Sequence, residues 1–167
     1  LRARARGQGR ASRHPFALTS LTSDTGRMSK HAPDHHDADL VLKLYDLRRE
    51  SVMRESRDAI NADYWPKNAG EATAILNRDH PLNRAYRQVS TYWEMVYGMA
   101  KNSIVHTNYL LENTGEGMLL FAKIEPYLEA MRAASHPRIF QHAEWISKTG
   151  EFADTVMNRF RTMVKNR

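Results

Sequence analysis

Cysteine is absent from the 167 residues, which excludes disulfides, thiolate nucleophiles, iron–sulfur clusters and every cysteine-based zinc site. The same absence leaves the compartment unreadable from redox chemistry. Long apolar runs are missing as well: the longest uninterrupted one is Met118 to Ala122, against the roughly 18 residues that a spanning helix needs. Nor does the body of the chain carry a charge excess. Residues 1–27 hold six arginines against Asp24 alone, whereas the other 140 residues carry 19 basic and 18 acidic side chains. The formal charge of +6 and the pI near 9.7 therefore belong mostly to a tail. Non-specific nucleic-acid binding needs many cations on one surface, and the tail is where they are. With 41% apolar and 26% charged residues, the rest has the composition of one globular domain.

Residues 1–27 are rich in Arg, Ser, Thr and Gly and lack helical or strand periodicity, the composition of a segment that stays disordered. Met28 stands just before an ordinary polar stretch, so we read it as the native start and the preceding residues as non-native or upstream of it. Two alternatives are an Arg-rich targeting peptide and a basic arm for nucleic acid. Residues 28–36 are expected to be a flexible polar N-terminus, and residues 37–167 a single domain.

From Asp37 onward apolar residues recur at spacings of three and four, and hardly any alternating run remains. The expectation is an all-α fold, a single antiparallel helical bundle of five to seven helical segments. A first helix over 37–49 would turn Leu40, Val41, Leu44 and Leu47 inward, and a second, capped by Ser51, would bury Val52, Ala59 and Ile60. Pro66 and Gly70 mark a loop, followed by a short helix over 71–77. The clearest helix has Asp79 as cap and Pro81 in its first turn, with Leu82, Tyr86, Val89, Trp93, Val96 and Ala100 on one stripe. Trp93 on that stripe reads as a core anchor without a chemical role. The signal weakens over 102–111 and breaks at Asn113–Gly117. Met118, Phe121, Ile124, Leu128 and Met131 then form a stripe that Pro126 should kink. The last helical stretch turns Ile139, Phe140, Ala143 and Ile146 inward, pauses at Gly150 and continues through Phe152, Val156, Phe160 and Met163.

Several groups invite chemistry. His31, Asp34, His35, His36, Asp37 and Asp39 are metal-ligand types, but they lie on the approach to the first helix, where no packed surroundings hold ligands in place. We assign no metal. His142 and Glu144 are two apart and diverge on a helix, and no His-Glu-x-x-His pattern exists. His80 and His136 precede prolines at helix starts, where a role near a cap suffices. Gly115-Glu-Gly117 follows no strand and places carboxylates where a phosphate would sit, so it reads as an interhelical turn. Arg48, Arg49, Arg54 and Arg57 read as a salt-bridged solvent face, with Glu50 and Asp58 four residues from Arg54. No residue is assigned to catalysis, and no cofactor is expected.

What remains is apolar surface in excess of one core-facing stripe. Tyr92, Met95 and Met99 extend apolar character around the Leu82–Ala100 helix, and Phe152, Phe160 and Met163 line the C-terminal one. These six residues are the candidate interaction surface, and a homodimer is the natural way to cover it. The blocks Leu44–Glu50, Val52–Arg57, Tyr92–Met95, Gly115–Gly117, Phe121–Leu128 and Ala143–Trp145 resemble an uncharacterised bacterial family of short helical proteins, over roughly residues 37–148. The resemblance implies an all-helical domain of unknown function, with some relatives membrane-anchored, and no catalytic residue comes with it. The reading is a non-enzymatic, cytoplasmic protein-interaction or regulatory module that self-associates or binds another protein. The alternatives are a nucleic-acid-binding regulator using the basic tail, with Arg84 and Arg87 as the best helical pair, and an enzyme or small-ligand-binding bundle.

Overall fold

The computed structural model describes residues 32–167; the basic tail and His31 lie outside them. Among the described residues there is no strand. The helices are α1 (His35–Arg49), α2 (Ser51–Asp63), α3 (Ala69–Ala74), α4 (Asn83–Lys101), α5 (Thr107–Thr114), α6 (Met118–Ile124), α7 (Leu128–Ala134), α8 (Gln141–Ile146) and α9 (Gly150–Lys165). Two 3-10 turns, Gly115–Gly117 and Glu125–Tyr127, join α5 to α6 and α6 to α7 without a gap. These five elements therefore form one run over 107–134, and the fold is an all-α bundle of seven helical segments.

Helix α4 is the hub, packed on α2 and α8, while α1 lies on α5, α3 on α7 and α6 on α9. Of its expected stripe Tyr86, Val89, Trp93, Val96 and Ala100 are buried and Tyr97 joins them, while Leu82, at the N-cap, is half-buried. The Met118 to Met131 stripe is buried throughout. Pro126 sits in the first turn of the second 3-10 segment, where its missing donor costs little.

Elsewhere the structure corrects the inward sets. Leu47 and Val52 face solvent. Met53, Ser56 and Ile60 are the buried residues of α2, because the break at Glu50 restarts the helical phase. In α9 the buried residues are Ala153 and Met157, one position away from Phe152 and Val156. Helix α1 begins at His35, two residues before the expected start. Asp34 caps α1, accepting from the amides of His36 and Asp37, while the buried Asp37 carboxylate accepts from the Asp34 amide, a reciprocal capping box. Asp37 Oδ1 also accepts from the His106 amide at 2.9 Å and ties α1 to the start of α5. Asp79 does not cap α4, which starts at Asn83. His80 closes the preceding turn instead, its Nδ1 accepting from the Leu82 amide.

A cap that no local pattern announces holds α8. Its N-cap is Phe140, in the left-handed region at φ 54° and buried between Tyr86 and Phe121, with no side-chain cap of its own. Glu94 of α4 supplies the missing acceptors across the bundle: Oε2 accepts from the His142 amide at 3.1 Å and Oε1 from that of Ala143 at 2.8 Å. The His142 ring lies beside the Glu94 carbonyl, 2.9 Å from Nδ1, in space left open by Gly98. Orphan amides at a helix N-terminus favour an anionic acceptor. Glu94→Ala should lower unfolding stability by about 2 kcal/mol, in the range of lost caps and charge-assisted bonds. Glu94→Gln, which keeps one acceptor, should lose less, and urea unfolding of the two variants checks the order.

Candidate interaction groove

The most unusual polar arrangement lies at the Gly115–Gly117 turn. Arg48 at the end of α1 and Arg57 in α2 converge on the single carboxylate of Glu116, at 3.2 and 2.6 Å. Both arginine side chains are largely covered, so one carboxylate shares two guanidinium groups in a partly desolvated place. This corrects the expected solvent face: Arg48 and Arg57 reach across the bundle, and the Gly-Glu-Gly segment is a clamp inside a helical run. Sequence reasoning missed Glu116 because its partners are 68 and 59 residues away and no helical spacing links them.

Tyrosines surround the clamp. Tyr92 donates its hydroxyl to the Leu44 carbonyl at 2.6 Å, and burial raises its pKa to about 12, with Glu116 also raising it and Arg48 and Arg57 opposing. It is fastened as a neutral donor. Tyr97 is fully buried, its hydroxyl has no partner among the described residues, and burial pushes its pKa well up.

Two hollows open beside the clamp. One, of about 240 Å³, is lined by Leu42, Tyr45, Arg48, Tyr92 and Asn113 among others. The other, of about 470 Å³, is lined by Arg48, Asn113, Glu116, Phe152, Arg159 and Phe160 among others. Arg48 and Asn113 line both, so the two hollows are neighbours on a grooved surface that takes in α1, the end of α5 and α9. Leu42 is 63% exposed on the first and Phe152 37% on the second, and Tyr45 lies open beneath the guanidinium groups of Arg48 and Arg49.

Of the six residues singled out as an interaction surface, Tyr92, Phe152 and Phe160 line this groove. Met95 and Met163 are exposed but line neither hollow, and Met99 packs against the core. Leu42, Tyr45 and Arg48 complete the groove and were not singled out. Exposed apolar residues on α1 were the available signal, hidden because Leu42 directly follows the core residue Val41 in an apolar run.

The other polar candidates have local tasks. Asp34 and Asp37 form the capping box, and no three His, Asp or Glu side chains converge as metal ligands among the described residues. His106 and His136 accept nearby backbone amides through Nδ1. Glu144 binds Arg132 at 2.6 Å and Lys148 at 2.7 Å, and both partners hold its carboxyl below the usual range. No helix among the described residues is long and apolar enough to cross a membrane.

Among known families, one described as Domain of unknown function (DUF4760) matches residues 33–149. No curated protein and no solved structure matches the chain.

Proposed function

Taking as premise that the chain belongs to the DUF4760 family, we propose that this domain is a non-enzymatic binding module that self-associates through the groove beside the Arg48–Glu116–Arg57 clamp. The observation that carries this reading is the pair of neighbouring hollows that share Arg48 and Asn113, with the apolar side chains of Leu42 and Phe152 open on them. An apolar patch crossed by arginine and tyrosine has the composition of an interface centre. Closed two-fold pairing is the commonest way for identical surfaces to cover one another. A cytoplasmic setting, where a partner protein would meet the groove, belongs to the same proposal.

Sedimentation of the full chain across a roughly hundredfold concentration range tests it. The expected result is a concentration-dependent dimer that Leu42→Asp shifts to monomer with little change in melting temperature, since that side chain faces solvent. A monomer at the highest concentration would remove self-association and leave a different protein as the groove's occupant.

Nucleic-acid binding is the second reading. Arg84 and Arg87 are exposed on α4, engage no carboxylate among the described residues, and line a hollow of about 290 Å³ with Asn83, Gln88 and Thr91. A mobility shift that weakens steeply with salt and with Arg84→Ala would favour it.

A further inference from the structure

Among the described residues Lys123 is the one fully buried cation, and no carboxylate there pairs with it. Its residue is 1% exposed, its Nζ donates to the Ile60 carbonyl at 3.0 Å, and it lies 3.8 Å from the centre of the Trp65 ring. The acid nearest in sequence, Glu125, is taken by Arg161, which grips it with two bonds of 2.7 and 2.6 Å. The same Trp65 ring carries a second cation: the guanidinium carbon of Arg167, just past the end of α9, is 4.3 Å from the ring centre. Trp65 itself is anchored, its indole N–H donating to the Asn61 carbonyl at 2.8 Å.

We propose that Lys123, Trp65 and Arg167 form a proton-operated latch that fastens the end of α9 to the segment between α2 and α3. The two cations differ in freedom. Lys123 is enclosed and bonded to the carbonyl end of α2, where the helix dipole favours positive charge. Arg167 is exposed at the end of its helix. With the amine neutral, Arg167 holds the ring unopposed. Once Lys123 takes a proton, two like charges share one aromatic ring, and the exposed one leaves.

Burial, and then the charge of Arg167, lower the Lys123 pKa to about 7. Arg167 is the charged group that bears on it from the packed elements. The folded-state value lies below that of an unfolded lysine, about 10.4, so the unfolded chain binds more protons across that interval. Stability therefore rises with pH from about 7 to about 10. Below about pH 7 both states hold the proton and the latch is open.

The indole N–H resonance of Trp65, assigned by its loss in Trp65→Phe, reports on the latch in the full chain. In the wild type it should move as a single-proton titration with its midpoint near pH 7. Lys123→Met should abolish that movement and leave Arg167 on the ring at every pH. Should Lys123→Met fail to fold, Arg167→Gln is decisive: removing the neighbouring charge should carry the midpoint to higher pH. A resonance that stays still in the wild type, that titrates unchanged in Lys123→Met, or whose midpoint is indifferent to Arg167→Gln overturns the latch. Titration of a distant histidine would appear alike in all of the proteins.

Discussion

Gly117→Ala is expected to destabilise the domain by roughly 3 kcal/mol, the upper part of the range for overpacking a closed core. The backbone does not require glycine here: φ is −61° and ψ −23°, ordinary helical values. On propensity alone alanine would be favoured by about 1 kcal/mol. Space decides instead. A Cβ on residue 117 would lie 2.3 Å from the Trp93 ring and equally close to the Tyr97 hydroxyl. Neither neighbour is a flexible tip in solvent, since Trp93 is 3% exposed and Tyr97 fully buried. The backbone of the turn would have to lift, and Glu116, one residue away, would lose its grip on Arg48 and Arg57. A fall in melting temperature of roughly 10 °C is the corresponding readout for a domain of this size. An unchanged melting temperature would mean that α6 and α4 stand further apart than the structure places them.

Trp93→Ala should cost more, about 3 to 5 kcal/mol, as for other buried aromatic truncations. The ring stacks on Tyr97 at 5.7 Å with an interplanar angle of 21° and meets Tyr92 edge-on at 5.0 Å, so its loss leaves a void at the centre of α4. Trp93→Phe keeps an aromatic ring in the stack and should retain the fold. The two sites are coupled. In a Trp93→Ala background the methyl of Gly117→Ala enters vacated space, and its penalty should shrink by more than 1 kcal/mol, as is usual for residues in contact. Equal penalties in both backgrounds, measured by chemical unfolding, would show that Trp93 is not what Gly117 accommodates.

Helical periodicity and breakers were sufficient for the all-α fold class. They were also sufficient for the buried stripes of α4 and of the 118–131 run, and for the interruption at Pro126. These properties depend on neighbours within one or two turns, and a repeat of three and four records them directly. Where the helical phase restarts, at Glu50, or where two adjacent apolar residues compete for one inward position, as with Phe152 and Ala153, the same repeat fits either choice. There only the packing of α2 on α4 and of α9 on α6 selected the buried set.

The groove and its clamp depended on the tertiary structure altogether. Glu116 acquires its partners only when α1, α2 and the 115–117 turn meet, Glu94 becomes a cap only when α8 docks, and Lys123 loses solvent only when α2, Trp65 and α9 close over it. Charges this far apart along the chain leave no periodic trace. Desolvation and pairing belong to the assembled bundle, whereas the apolar period and the breakers that mark each helix are written in its own residues.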